Sequence, residues 1–385
     1  MERAELRALL GTLPNAEVRG RFVFLADPTW PEVTRAKFAR TLEEAEMVDA
    51  SFGWLSIPTG GTSGELRFVR HDQETVGAAV DGFTRHFRVE RVNAVGVLPM
   101  HHVSGLMAWL RCAGTGGRYL AQDWKRLQTG DWPRLTDERD DWFLSLVPTQ
   151  LQRLLELPGG AEFLRRFRAV FLGGAPAWPA LTDQAAEQRI PVSLSYGMSE
   201  TAAMVAAQLP EEFLCGYRDA GRVMPHAQVK VDVEAGGVLR INGESVFRGY
   251  FPGFREPRTF LTEDLGEVLP GGRVRVLGRR DAVIITGGEK VAPTEVEEAL
   301  RATGAFSDVA VIGVPDPEWG QAVVACYPAG GLRGEAIEVR GRLSLTLARY
   351  KQPKRYVPIA EWPRNAQGKV NRAELLRAVE ASHSV

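Results

Sequence analysis

Cysteine is scarce in this chain. Three residues in 385, Cys112, Cys215 and Cys326, lie far apart and show no metal-ligand spacing. An odd, sparse set fits a reducing compartment better than a disulfide framework, with each thiol read as a small core residue. Long apolar runs are also lacking, and none approaches the roughly 20 residues that a spanning helix needs. Charge of one sign is lacking too. Lys and Arg number 47 against 48 Asp and Glu, a net charge of -1. That balance argues against a nucleic-acid surface and against a polybasic membrane patch. The opening, MERAELRALLGTLPNAE, is amphipathic and charged, without the apolar stretch of a secretory signal. Repeats and low-complexity segments are missing. The expectation is a soluble, cytoplasmic protein, long enough for two domains. Homo-oligomerisation stays open.

What is present begins with Ser56 to His71, SIPTGGTSGELRFVRH. Trp54–Ile57 reads as a strand. Leu66–Arg70 alternates apolar and basic residues and reads as another. Between them Thr59, Gly60, Gly61, Thr62, Ser63 and Gly64 bring glycine and hydroxyls together, with Arg67 close behind. Glycine allows close backbone approach, successive amides form an anion-holding nest, and hydroxyls and Arg67 add donors and charge. The segment can grip a triphosphate, or it can be an ordinary hairpin with a glycine-rich turn. It is not a P-loop, because no Lys-Ser or Lys-Thr pair follows and the continuation is not helical.

Along the chain, Lys37–Ala50 reads as a helix. Asp72–Phe87 reads as another, capped by Asp72, with Val76, Ala79, Val80, Phe83 and Phe87 on one stripe. Short apolar strands at 93–99, 118–120, 142–147, 169–172 and 191–194 alternate with helices, including one at 149–157 that Thr149 would cap. That alternation predicts a parallel α/β sheet, whose ligands gather beyond the strands' carboxyl ends. His101-His102, Gly173-Gly174 and Tyr196–Thr201 all follow such ends. Residues 221–278 read as a β-rich subdomain. Residues beyond Arg279–Asp281 read as a small α+β domain of ordinary size. The expected fold is therefore α/β, with residues 1–279 as a large N-terminal domain and 280–385 as a small C-terminal one.

These motifs, in this order, resemble the adenylate-forming superfamily of acyl- and aryl-CoA synthetases, peptide-synthetase adenylation domains and luciferases. The resemblance runs from about Ile57 to the end. It implies that Thr59–Gly64 clasps the pyrophosphate end of ATP, although Gly60 stands where Ser is usual and Leu66-Arg67 where Pro-Lys are usual. It implies that Gly174, Ala175 and Pro176 wall the adenine pocket. It makes Tyr196 and Gly197 part of that pocket, Thr201 the hydroxyl for the α-phosphate, and Glu200 the Mg²⁺ carboxylate. Asp264, in a turn Thr262–Gly266, and Arg279 would hold the ribose, with Asp281 the hinge. Gly287 and Gly288 would line the tunnel for the thiol of coenzyme A. Lys369 would bridge the substrate carboxylate and the α-phosphate. His102, Gly197 and Met198 would border the acid. Singly, each is more ordinary: a packed tyrosine, a solvated carboxylate, a surface lysine, a loop histidine.

The resemblance implies ATP, Mg²⁺ and coenzyme A as reactants and a small carboxylic acid as substrate. Within the superfamily, the early phosphate loop and the wording Ile57–Gly61 with Arg67, Phe68 and His71 are most similar to the short aryl-CoA ligases of quinone biosynthesis that take 2-succinylbenzoate. Rival readings are another acyl- or aryl-CoA ligase, a stand-alone amino-acid adenylation domain, and a silent nucleotide-binding relative. Met100–Gly105 lacks the Asp that would hold an amino group. The joint presence of Glu200, Asp264 and Lys369 opposes a silent relative.

Overall fold

The computed structural model describes residues 1–60, 66–135, 141–256, 258–333, 336–364 and 370–381. The chain divides into two compact units. One comprises Met1–Gly174, Ala185–Thr262 and Glu267–Arg275, and the other comprises Ala175–Gln184, Glu263–Gly266 and Val276–Val385.

In the first unit the expected parallel array is present. Its order is Val192–Met198, Ala169–Leu172, Trp142–Leu146, Asn93–Gly96, Tyr119–Ala121, all paired parallel. These strands are short and apolar because helices cover them. The helix Gln73–Phe87 forms as expected: the Asp72 carboxylate accepts from the amides of Glu74 and Thr75, and all five stripe residues are buried. The sheet continues past Val192–Met198 through the antiparallel strand Ala203–Ala207 to Arg222–Val223, Arg273–Arg279, Thr259–Leu269, Val238–Gly243 and Ala227–Asp232, the β-rich stretch.

A separate four-stranded sheet carries the glycine-rich hairpin. Ala16–Arg19 pairs with Phe22–Leu25, which lies parallel to Leu55–Gly60, which pairs antiparallel with Leu66–His71. The strand Phe22–Leu25 was not anticipated. All four of its residues are fully buried, and its rings meet Phe38, Phe68 and Phe251 edge to face. Burial of such side chains is worth roughly 1.5–3 kcal/mol each. A strand buried on both faces has no alternation to read.

Two helix limits differ from expectation. The helix expected at 37–50 spans Glu32–Glu44, because Pro31 fixes the turn into its first residue. The helix expected to start with a Thr149 cap is Pro148–Leu155. Proline occupies its first position, and the Gln150 side chain reaches back 3.0 Å to the Val147 amide.

Arg70 ties the hairpin sheet together. Its guanidinium is 1% exposed and donates to the carbonyls of Asp49, Phe52, Gly53, Pro252 and Gly253 at 2.7–3.0 Å. Its faces lie over Phe22 and Phe254. Burial lowers its pKa, opposed by Asp49 and Asp72.

The second unit contains the sheet Glu289–Val291, Ile284–Thr286, Gly320–Pro328, Ala310–Asp316, with Arg355–Ile359 parallel to Gly320–Pro328. Pro293–Ala302, Ala336–Leu343 and Arg372–Ala381 are its helices. Val296, Leu300, Val323 and Leu343 pack in one core cluster, and Ile312, Val324, Leu375 and Val379 in another.

Candidate active site

The two strands that flank the glycine-rich segment pair with each other. Thr59 faces Arg67 and Gly60 faces Leu66 in antiparallel register, so the two strands deliver both ends of the glycine-rich segment together. Gly61, Thr62, Ser63 and Gly64 lie outside the described residues. Arg67 is exposed, and its guanidinium sits over the Tyr250 ring, 4.8 Å from the centroid. The Tyr250 hydroxyl donates 2.6 Å to Oε1 of Glu200. Burial raises the phenol's pKa, the Glu200 carboxylate raises it further, and Arg67 opposes. The phenol therefore stays protonated and donates.

Residues 196–201 span two backbone states. Tyr196–Met198 end the strand Val192–Met198, and Ser199–Thr201 turn in a single 3₁₀ turn. Tyr196 is only 8% exposed and belongs to the core. A Cβ on Gly197 would stand 1.9 Å from the Ala203 carbonyl oxygen, so the neighbouring strand demands glycine there. Thr201 requires a correction. It is fully buried, its hydroxyl meets the carbonyls of Met198 and Ala203 at 3.1 and 2.7 Å, and it accepts from the Met198 amide at 3.1 Å. That hydroxyl is spent on the fold. Ser199, two residues earlier and half-buried, carries the other hydroxyl of the turn.

His71, at the end of the hairpin's second strand, reaches the same turn. Its Nε2 lies 2.7 Å from the Ser199 carbonyl oxygen, and its Nδ1 lies 3.0 Å from the Thr75 hydroxyl. A carbonyl only accepts, so Nε2 carries the proton and Nδ1 receives one from Thr75. Burial lowers its pKa to about 4, against the Ser199 carbonyl and Asp72, with Arg248 adding to the drop.

The Glu200 carboxylate has no ion pair among the described residues, and its oriented oxygen is held by a neutral donor. No group of three or more His, Cys, Asp or Glu capable of holding a metal occurs among the described residues. A carboxylate without a cationic partner among the described residues suits Mg²⁺, which binds through one or two carboxylates and fills its remaining positions with phosphate oxygens and water.

Gly174 closes the strand Ala169–Leu172 with φ +82, which glycine adopts without strain, and Ala175 and Pro176 follow in the second unit. His102 occupies the position before the helix Val103–Thr115, half-buried, its ring 4.3 Å from that of His101. Nε2 of His101 in turn lies 3.4 Å from Oδ2 of Asp27. Burial lowers the His101 pKa, with Asp27 opposing. Met198 is half-buried.

In the second unit Asp264 and Arg279 are neighbours, with Nη1 3.7 Å from Oδ1. Asp264 does not sit in a turn. Residues 262–266 run inside the strand Thr259–Leu269, with Thr262 and Gly266 buried. Arg279 forms a fork on Asp281 at 2.8 and 2.5 Å, and this pairing raises its pKa. Arg280 forms another fork on Glu263. Gly287 and Gly288, at φ +58 and +84, form the tip between Ile284–Thr286 and Glu289–Val291. The Gly287 amide donates to the Trp319 carbonyl, and a Cβ there would press on the Trp319 ring at 2.9 Å. Lys369 lies outside the described residues. Arg364 and Val370, on either side of residues 365–369, form an antiparallel bridge.

Sequence reasoning missed Tyr250 and Ser199, and it used His71 only as a marker of likeness. Tyr250 stands beside Gly249 in Arg248-Gly249-Tyr250, and that glycine-aromatic pair was the available signal.

These arrangements define the class. The AMP-binding enzyme family matches residues 12–251, and the AMP-binding enzyme C-terminal domain matches residues 295–369. The chain belongs to the AMP-binding enzyme family. It is 30% identical over 377 residues to the 2-succinylbenzoate–CoA ligase of Listeria monocytogenes serotype 4b, spanning 94% of this chain and 79% of that protein. The o-succinylbenzoate CoA synthetase of Bacillus subtilis, in complex with the acyl-adenylate intermediate OSB-AMP, superposes with a TM-score of 0.72 at 25% identity, over 85% of this chain and 70% of that one. ATP-bound MatB from Rhodopseudomonas palustris gives a TM-score of 0.72 at 26% identity, over 84% and 67%. Among the described residues no helix is long and apolar enough to cross a membrane.

Proposed function

We propose that this chain is a cytoplasmic, AMP-forming acid–CoA ligase acting on 2-succinylbenzoate in menaquinone or phylloquinone synthesis. The observation that carries the chemistry is the Arg67–Tyr250–Glu200 chain. It sets a guanidinium of the glycine-rich hairpin and an un-neutralised carboxylate of the 196–201 segment on one aromatic side chain. Polyphosphate and its counter-ion need that pair of charges close together. The choice of acid rests on likeness to 2-succinylbenzoate–CoA ligases along most of the chain.

In the first half-reaction a carboxylate oxygen of the acid attacks the α-phosphorus of ATP. The bond to the bridging oxygen breaks, and pyrophosphate leaves with its electron pair. Arg67 and the amides of residues 59–64 bind the departing phosphates. Ser199, rather than the buried Thr201, offers the hydroxyl beside Glu200. Magnesium, held by Glu200, would neutralise charge on the phosphate oxygens. Lys369 stabilises the crowded negative charge where carboxylate meets phosphate. Asp264 and Arg279 hold the ribose, Tyr196 and Gly174 border adenine, and His102 and Met198 border the acid. In the second half-reaction the sulfur of coenzyme A attacks the acyl carbonyl, the thiol proton is released, and AMP leaves. Residues 1–279 act as the nucleotide- and acid-binding domain. Residues 280–385 act as a lid that withdraws Lys369 and presents Gly287 and Gly288 to the thiol.

The equal TM-score of ATP-bound MatB supports a second reading, another ATP-using acyl- or aryl-CoA ligase. CoA-dependent AMP formation across aromatic, dicarboxylic and fatty acids decides between them. The expected result is a preference for 2-succinylbenzoate. Turnover of fatty acids or small dicarboxylates alone would overturn the quinone assignment.

A further inference from the structure

Tyr250 is fixed from several directions. Its backbone bridges Val69 of the hairpin's second strand, and the next amide, of Phe251, donates 2.9 Å to the Phe68 carbonyl. The Phe247 ring meets its ring edge-on at 4.9 Å, and the Phe247 amide donates 2.9 Å to the Glu200 carbonyl. The segment 247–251 is thus tied to the hairpin on one side and to the Ser199–Thr201 turn on the other. From that fixed platform the Tyr250 ring carries Arg67 and its hydroxyl holds Oε1 of Glu200.

We propose that Tyr250 is a positioning residue for the nucleotide, aligning the Glu200 carboxylate for Mg²⁺ and the Arg67 guanidinium for phosphate as one preset pair. It rests on the reading above that this site takes ATP and Mg²⁺. A phenol suits the task because it is a neutral donor. It orients one carboxylate oxygen and leaves the carboxylate's charge for the metal, whereas a lysine or arginine there would neutralise it. Groups that orient a metal ligand through a hydrogen bond commonly contribute about 10- to 100-fold to metal affinity. A cation lying over an aromatic ring gains enough to change binding by about two- to fivefold at an exposed site. The two contributions come from different atoms of one side chain, so substitution can separate them.

The test measures ATP affinity of the full chain by calorimetry, in EDTA and across a Mg²⁺ titration, for wild type, Tyr250→Phe and Tyr250→Leu. Tyr250→Phe keeps the ring and is expected to bind ATP in EDTA as wild type does, while needing about tenfold more Mg²⁺ to reach the tight state. Tyr250→Leu is expected to share that defect and to lose a further two- to fivefold in EDTA. Should Tyr250→Leu fail to fold, the Mg²⁺ titration of Tyr250→Phe decides alone. A Mg²⁺ requirement unchanged in Tyr250→Phe, with wild type binding ATP normally, overturns this inference and leaves the function standing. Wild type that binds no ATP under either condition overturns the function, and this inference with it.

Discussion

His71 holds the carbonyl oxygen of Ser199 at 2.7 Å and so joins the strand of the glycine-rich hairpin to the turn that carries Glu200. The bond needs a proton on Nε2 and none on Nδ1, where the Thr75 hydroxyl donates. The ring is therefore neutral in the folded chain, with its pKa lowered by burial to about 4, against an ordinary value of 6.5.

This sets a pH dependence. Between about pH 6.5 and 4 the unfolded chain binds a proton at His71 and the folded chain does not, so stability falls as the pH falls through that window. The contribution is fully present above 6.5 and amounts to roughly 3 kcal/mol at most. His226, also lowered to about 4 by burial, adds to the same slope. His71→Gln keeps a donor near the Nε2 position and removes the titration. Urea unfolding of this variant is expected to show a shallower loss between pH 6.5 and 4 than wild type.

Removing the Arg70 guanidinium leaves five carbonyls without their shared donor. Arg70→Met is expected to lower the unfolding free energy by roughly 3 kcal/mol, because buried acceptors without partners cost more than the cation's desolvation returns. Arg70→Lys is expected to restore little, since three ammonium protons cannot replace the planar fork. Thermal and urea midpoints check both.

The neighbouring hydroxyls Ser199 and Thr201 are expected to separate cleanly. Thr201→Val removes a fully buried hydroxyl bonded to backbone on both sides, costing about 1–2 kcal/mol of stability. Ser199→Ala is expected to leave stability within about 0.5 kcal/mol. It is also expected to slow acid-dependent pyrophosphate release by roughly 10- to 100-fold, as loss of a donor to developing phosphate charge does. Unfolding curves and single-turnover adenylation, run on both variants, make the comparison.

Gly287→Ala places a methyl against the Trp319 ring in a left-handed backbone conformation, whereas a Cβ on Gly288 meets nothing within 4 Å. Gly287→Ala is expected to slow transfer from supplied acyl-adenylate to coenzyme A while adenylate formation stays near wild type. Lys369→Ala is expected to do the opposite. Equal loss of both half-reactions in either variant would contradict the two-state use of residues 280–385.

The sequence was readable where a local cause decides the structure. Asp72 and the stripe from Val76 to Phe87 define their helix within one segment, and alternating short strands and helices define the parallel array. It was silent where distant packing decides. Phe22–Leu25 becomes a strand because Phe38, Phe68 and Phe251 surround it. Asp264 lies on a strand because Thr259–Leu269 pairs within the large sheet, not in a turn of its own. Within the site, the glycines, Glu200 and Arg67 stood out by residue type. Choosing Ser199 over Thr201 required the 3₁₀ turn that aims one hydroxyl inward. Tyr250 required a fold that brings positions 67, 200 and 250 together.

The central claim is that a carboxylic acid and MgATP react at Glu200 to release pyrophosphate. Exchange of labelled pyrophosphate into ATP, with 2-succinylbenzoate and without coenzyme A, tests it most directly. The account predicts acid-dependent exchange in wild type and a fall of about 100-fold in Glu200→Gln. Wild type that exchanges with no carboxylic acid, or Glu200→Gln that exchanges as wild type does, would contradict it.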